Sequence, residues 1–343
     1  MSEQSQILII YTGGTIGSFE DHATQSLKPV NFEQLREYIP ELNRIGAALS
    51  VHAFSQPKDS SDMNPADWVK IVEVIRGYYD LYDGFVVLHG TDTMAFTASA
   101  VSFMIEDLSK PVIFTGSQLP IGRIRTDGKE NLITAIEIAA TKQNGKPVVP
   151  EVCIYFEFKL YRANRTFKFS AEHFNAYLSP NYPLLAEAGV TIEYNHNAIN
   201  PLADRPVQFH TELNTCIAIV PLFPGILPET VENIVSPKNI RAVILETFGS
   251  GNGPMQDWLF DLLREAMQQD KIILNITQCR QGGVIQGRYE TSREFRKIGL
   301  TGGADMTREA AVTKLMHLLA YHKDVKEIER LVQIPLRGEL TVD

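Results

Sequence analysis

Positive charge is in short supply in this sequence: 32 Lys and Arg stand against 41 Asp and Glu in 343 residues, a formal charge of −9, and no basic run offsets it. Such a surface repels phosphate backbones and anionic lipid, so neither nucleic acid nor a membrane is an expected partner. Cysteine is scarce as well. Cys153, Cys216 and Cys279 lie far apart and match neither a disulfide framework nor a metal-ligand spacing, which makes them structural thiols and leaves no expected metal site. Long apolar runs are missing too: Ile7-Leu8-Ile9-Ile10 is too short for a signal core or a membrane span and has no basic leader, which points to the cytosol. No HExxH, GxSxG elbow or P-loop occurs, which removes the main support for metalloprotease, α/β-hydrolase and P-loop NTPase chemistry.

What is present is an ordinary folding composition, 44% hydrophobic and 21% charged, in a chain longer than one core comfortably holds. Ile7 to Tyr11, Phe85 to Leu88 and Pro111 to Thr115 are short β-branched or aromatic runs that end in turn residues, the pattern of fully buried strands. Helical patterns alternate with them. Asn64 caps and Pro65 opens a helix with Trp68, Ile71, Val72 and Ile75 on one face. A second carries Ala98, Val101, Met104, Ile105 and Leu108, and a third, capped by Asp127, turns Leu132, Ile133, Ile136, Ala139 and Ala140 inward. Residues 215–343 repeat the plan with strands at Cys216 to Val220, Ala242 to Leu245 and Ile272 to Ile276 and helices near 255–268 and 308–321. This alternation predicts an α/β protein of two α/β domains: a larger N-terminal one at 1–195 with a mostly parallel sheet flanked by helices, a linker at 196–214, and a smaller C-terminal one at 215–343.

Several turns leave the carboxyl ends of these strands, where open α/β sheets bind ligands. Thr12-Gly13-Gly14-Thr15-Ile16-Gly17 sets a hydroxyl among glycines, and because Thr15 and Ser18 stand where a dinucleotide fingerprint needs glycine, nicotinamide and flavin cofactors are not expected. Gly17 and the polar run Ser18 to Ser26 have the character of a lid or of a plain surface loop. His89-Gly90-Thr91-Asp92-Thr93 combines more hydroxyl and carboxyl groups than a helix cap requires, although capping alone accounts for any one of them. Asp59-Ser60-Ser61-Asp62 offers hydroxyls and amides to a carboxylate, or simply a capping turn. The basic cluster Arg162-Ala163-Asn164-Arg165-Thr166-Phe167-Lys168 has the default expectation of a solvated face.

Taken together, these segments resemble the bacterial-type L-asparaginases, in their cytoplasmic type I branch. The resemblance also runs through Thr115-Gly116-Ser117-Gln118, Gly302-Gly303-Ala304-Asp305-Met306-Thr307 and Leu336-Arg337-Gly338-Glu339-Leu340. It implies hydrolysis of L-asparagine to L-aspartate and ammonia without a cofactor. Thr15 and Thr91 become the two catalytic hydroxyls, Lys168 the support of Thr91, and Asp92 the contact to the substrate α-amino group. Ser60 and Ser61, with the backbone of Asp59, become the holders of the α-carboxylate. A threonine hydroxyl is a weak nucleophile and needs such a partner in hydrogen-bond reach. The resemblance further implies a homo-oligomer, dimer or tetramer, to which Gly249-Ser250-Gly251-Asn252 of a neighbour contributes. Leu27 departs from the pattern, standing where many members carry a lid tyrosine. Phe167 and Glu246 stand where some build a regulatory asparagine site from other residue types. Three alternatives remain open from sequence: a non-catalytic amino-acid binder, an amidase acting on both asparagine and glutamine, and the amidase subunit of a tRNA-dependent amidotransferase, which carries an extra domain before the glycine loop.

Overall fold

A computed structural model of the chain describes residues 4–21, 26–29, 37, 39–285, 287 and 290–342, with backbone alone at 18–21, 26–29, 290 and 291. The chain divides into two compact units, Met1–Thr211 and Glu212–Asp343, and the division falls within residues 196–214.

In the first unit the elements run β1 (Ser5–Gly13), β2 (Ser18–Asp21), β3 (Ser26–Pro29), β4 (Ala47–Lys58), α1 (Pro65–Tyr78), β5 (Gly84–Leu88), α2 (Met94–Met104), β6 (Val112–Thr115) and α3 (Gly128–Ala140), followed by β7 (Val152–Phe156), β8 (Lys159–Arg162), β9 (Phe167–Lys168), β10 (Tyr177–Leu178), β11 (Ala186–Ala188) and β12 (Ile192–Tyr194). Eight strands form one sheet in the order β12-β11-β8-β7-β6-β5-β1-β4. The pairs from β7 through β4 are parallel and those from β7 through β12 antiparallel. The central strands are buried on both faces because helices cover both. Ile7, Ile9, Val86, Ile113 and Cys153 pack with Leu132, Ala135, Ile136 and Ala139 of α3, while Leu8, Ile10, Phe85 and Val87 are buried on the opposite face.

Local chemistry explains the element ends. Asn64 caps α1 through its side chain to the Ala66 amide, and Asp67 answers with its carboxylate on the Asn64 amide at 3.2 Å, a capping box beside Pro65 at the first helical position. Helix α2 stops at Met104 rather than continuing to Leu108, because Ile105 turns extended and pairs with Phe209. Asp127 does precede α3, but its carboxylate makes no cap; it accepts from the Gln118 and Leu119 amides instead, a loop anchor winning over a helix end. The proposed lid segment is an antiparallel β2–β3 pair with Glu20 opposite Leu27; residues 22–25 of it lie outside the described residues.

The second unit carries a parallel sheet in the order β13 (Ile217–Pro221), β14 (Ala242–Thr247), β15 (Ile272–Thr277) and β16 (Thr301–Gly302). Helices α4 (Pro228–Val235), α5 (Asp257–Gln268), α6 (Glu290–Ile298), α7 (Arg308–Tyr321) and α8 (Val325–Val332) accompany it, and Val243, Leu245 and Ile273 pack with Leu259, Leu263 and Phe295.

Candidate functional site

Four turns from the carboxyl ends of parallel strands meet in the first unit. The Thr12 hydroxyl at the end of β1 donates to the Leu88 carbonyl at the end of β5, 2.9 Å away, and the Gly14 amide donates to the Lys58 carbonyl at the end of β4. Gly14 has φ +83° and lies so near the β5 turn that a Cβ there would stand 2.3 Å from the Gly90 amide nitrogen. Only glycine permits that approach. Thr15 follows, half-buried at the start of a single 3-10 turn, Thr15–Gly17. One backbone contact thus joins the turn that carries Thr15 to the turn that carries Thr91.

Lys168 reaches this junction from outside the main sheet, on the β9–β10 ribbon. Its ammonium donates to Thr91 Oγ1 at 2.8 Å and to Asp92 Oδ1 at 2.6 Å. Across the ribbon from Lys168 sits Tyr177, whose fully buried hydroxyl donates to the Thr91 carbonyl. The ribbon therefore grips Thr91 by both its backbone and its side chain. Burial, with the Asp92 charge beside it, pushes the Tyr177 phenol well up, so it serves as a donor and not as a base.

Ser60 is buried and accepts from the Asp92 amide at 3.2 Å, while the Thr93 hydroxyl donates to the Ser60 carbonyl at 2.6 Å. Those two bonds replace the side-chain cap that Thr93 does not make for α2. Asp59 and Ser61 are exposed and paired: the Ser61 hydroxyl and amide donate to Asp59 Oδ1 at 2.7 and 2.8 Å and hold its carboxyl below the usual range. Asp59 also caps the Ser60–Asp62 turn. Thr91, Asp92, Lys168 and Ser60 are therefore brought together, and Asp59 and Ser61 form a pair beside them.

The basic cluster is not a solvated face. Arg162 and Arg165 are buried, the first on Glu151 at 2.7 Å and on Asn200 at 2.8 Å, both beside the Tyr182 ring. Desolvated Arg162 persists there because Glu151, the Ala198 carbonyl, Asn200 and the Tyr182 ring meet its fork, and Arg165 lies against the same ring. Two site residues escaped the sequence reading. Gln118 accepts from the Thr91 hydroxyl at 3.1 Å, and its place in Thr115-Gly116-Ser117-Gln118 was the available signal. Tyr177 lies in a stretch without periodicity and gave none. In the second unit, Glu246 at the end of β14 accepts from Arg308 at 2.6 Å.

His89 lies under the site, wholly buried, with Nδ1 2.7 Å from the Gly90 carbonyl. A carbonyl only accepts, so Nδ1 carries the proton of the neutral ring, and Nε2 has no hydrogen-bond partner among the described residues. Burial holds the imidazole pKa down to about 4 from 6.5, against the smaller opposing effects of the Gly90 carbonyl and Asp59. Between those two values the unfolded chain takes up a proton that the native ring refuses. The stability due to the neutral ring is thus complete above pH 6.5 and falls as pH drops toward 4, by about 3 kcal/mol at most. Urea unfolding at pH 7 and pH 4.5 should show His89→Asn losing less stability across that interval than the parent; equal losses would remove His89 from the account.

Among the described residues, no group of His, Cys, Asp and Glu is placed to hold a metal ion, and no helix is long and apolar enough to cross a membrane. All three cysteines are free.

Comparison with known proteins adds the following. Residues 6–200 match the family model described as Asparaginase, N-terminal, and residues 216–332 match that described as Glutaminase/Asparaginase C-terminal domain. The chain is 41% identical over 344 residues to L-asparaginase 1 of Escherichia coli, with 99% of each chain covered. It is 37% identical over 365 residues to a 60 kDa lysophospholipase of Mus musculus, with 100% of this chain and 64% of that protein covered. The crystal structure of L-asparaginase I from Vibrio cholerae superposes with a TM-score of 0.90 at 39% identity, covering 99% of this chain and 100% of that one.

Proposed function

The chain belongs to the asparaginase family, and on that premise we propose that it hydrolyses the side-chain amide of L-asparagine, with water, to L-aspartate and ammonia through a Thr91–Lys168 pair acting beside Thr15. The observation that carries this reading is the lysine ammonium 2.8 Å from the Thr91 hydroxyl and 2.6 Å from Asp92, at the junction of the strand ends.

Thr15 is the attacking hydroxyl in this account and Thr91, coupled to Lys168, handles the proton that the attack releases or activates the hydrolytic water. Asp92 has an exposed carboxylate with which to meet the α-amino group. Ser60 and Ser61 and the Asp59 backbone receive the α-carboxylate, which requires the Ser61 hydroxyl to leave Asp59 on binding. Backbone amides along the glycine turn other than that of Gly14, or those near Gly116 and Ser117, are the donors for the developing oxyanion, each worth about 2.7–4 kcal/mol in comparable sites. No cofactor takes part in this chemistry.

Asparagine is favoured over glutamine by the family resemblance, but a single methylene is worth only about 1–3 kcal/mol in a pocket, so glutamine is expected as a slower substrate. The cytosol is the proposed compartment, supported by three free thiols. Self-association as a dimer or tetramer completes the reading, with the tight turn Gly249–Asn252, closed by paired Phe248 and Asn252 backbones, offered to a neighbouring copy.

Ammonia release from L-asparagine and from L-glutamine by the purified protein tests the reaction; release from neither would leave a binding protein. Gly14→Ala addresses the junction. Its Cβ cannot coexist with the Gly90 amide, and displacement of a reacting group by about 1 Å is enough for a loss of about 100-fold in kcat/KM. A Gly14→Ala protein with parental kcat/KM would mean that the two turns need not touch.

A further inference from the structure

A threonine hydroxyl has one proton and two lone pairs. At Thr91 one lone pair receives the Lys168 ammonium at 2.8 Å, and an ammonium has nothing to accept with, so the Thr91 proton goes to Gln118 Oε1 at 3.1 Å. The orientation of that carboxamide is fixed on independent grounds. Its Nε2 stands 3.1 Å from the His173 carbonyl, which accepts only, so the oxygen has to be the atom facing Thr91. The Gln118 backbone is fixed as well. Its amide donates to both oxygens of Asp127 at 3.1 and 3.0 Å, and Asn131 of α3 donates to Asp127 Oδ2 and to the Gly116 carbonyl. Gln118 is thus held at its backbone by buried Asp127 and at its side chain by the exposed loop that joins β9 to β10, with its acceptor spent on the Thr91 hydroxyl.

We propose that Gln118 is a positioning residue for the amide hydrolysis: it holds the Thr91 hydroxyl in the rotamer that keeps a lone pair on Lys168 and the proton turned away from it. The inference rests on the Thr91–Lys168 reading above and extends it. Gln118 touches neither substrate nor water in this account; it acts through Thr91. Without the acceptor, Thr91 has another staggered well available, in which Oγ1 leaves Lys168. The turnover step then suffers while the groups that hold the substrate carboxylate and amine, Ser60 and Asp92, keep their places.

Two variants separate this role from packing. Gln118→Met has a similar length and no acceptor; Gln118→Glu keeps an acceptor for Thr91 and gives up the donor to His173. With L-asparagine, Gln118→Met should lower kcat about 10- to 100-fold with KM within twofold and the melting temperature within a few degrees, and Gln118→Glu should recover part of kcat. Parental kcat in Gln118→Met, a loss confined to KM, or Gln118→Glu no better than Gln118→Met would overturn the proposal. A crystal structure of Gln118→Met decides the same point without turnover: the Thr91 oxygen moved off Lys168 supports the role, and Thr91 unmoved ends it. If the parent protein itself releases no ammonia, the reading of the reaction fails, and the Thr91 rotamer in that crystal still decides the positioning.

Discussion

Alanine at Thr91 is expected to lower kcat for L-asparagine by about 10³- to 10⁴-fold while leaving KM within a few-fold and the fold intact. The loss follows from geometry. Lys168 has two acceptors in reach, Thr91 and Asp92, and without the hydroxyl it keeps the Asp92 contact that meets the substrate amine, so binding survives while the proton path does not. Thr15→Ala should be at least as damaging, because it removes the attacking oxygen. Lys168→Met should match Thr91→Ala, and the double variant should be scarcely worse than either single one, since residues acting as one unit do not add. Steady-state ammonia release with melting curves as folding controls measures all four. A Thr91→Ala enzyme with a tenth of parental kcat, or a double variant whose loss is the product of the single losses, would sink the proposed pair.

The second large effect concerns stability. In the second unit Lys314 of α7 and Glu339 of the Leu336–Leu340 segment form an ion pair at 2.5 Å with neither side chain exposed. The ammonium also donates to the Val332 and Ile334 carbonyls at 2.7 Å, and the carboxylate accepts from the Leu336 and Arg337 amides. Desolvation lowers the lysine pKa and the Glu339 charge opposes it, so a lysine stripped of its carboxylate has no good state to adopt. Glu339→Gln or Lys314→Met should each cost about 3–5 kcal/mol in urea unfolding, and Lys314→Met combined with Glu339→Leu should cost clearly less than their sum. Single variants within 1 kcal/mol of the parent, at about the scale of a surface pair, would show that the pair is not isolated from water.

The segment 336–340 was visible as a motif of the family without any hint of this job, and the same division runs through the molecule. Continuous apolar runs such as Ile7–Tyr11 and Phe85–Leu88 were legible as strands because burial on both sheet faces leaves no polar positions to interrupt them. The first α1 turn was legible because Asn64 and Pro65 act side by side, and Asp67, which closes the capping box, was not read from sequence. The half-exposed edge strand β4 and the buried strand β7 were not singled out, and the antiparallel edge beyond β7 depends on pairing partners that sequence spacing does not express. Arg162 and Arg165 read as surface because what meets them, Glu151 and Asn200 for Arg162 and the Tyr182 ring for both, lies outside the local cluster. The threonines and Ser60 were legible from their turns and from the family pattern. Lys168 came from the pattern alone, and the hold of Gln118 on Thr91 spans 27 residues and two loops.

Thr91 and Lys168 lie 77 residues apart, joined through a two-stranded ribbon that is no part of the parallel sheet. A polypeptide made from its N-terminus has both proposed threonines and strands β1 to β6 in hand well before residues 167–178 exist. Closing so long a loop is slow relative to local structure. On the proposed reading, the nascent chain therefore carries the two hydroxyls without their lysine through most of the first unit's synthesis, and the Thr91–Lys168 contact arrives with the docking of one short hairpin. That timing also makes the hairpin the most economical place to silence the proposed chemistry, at a cost in packing, since Phe167, Ala176 and Tyr177 are themselves buried.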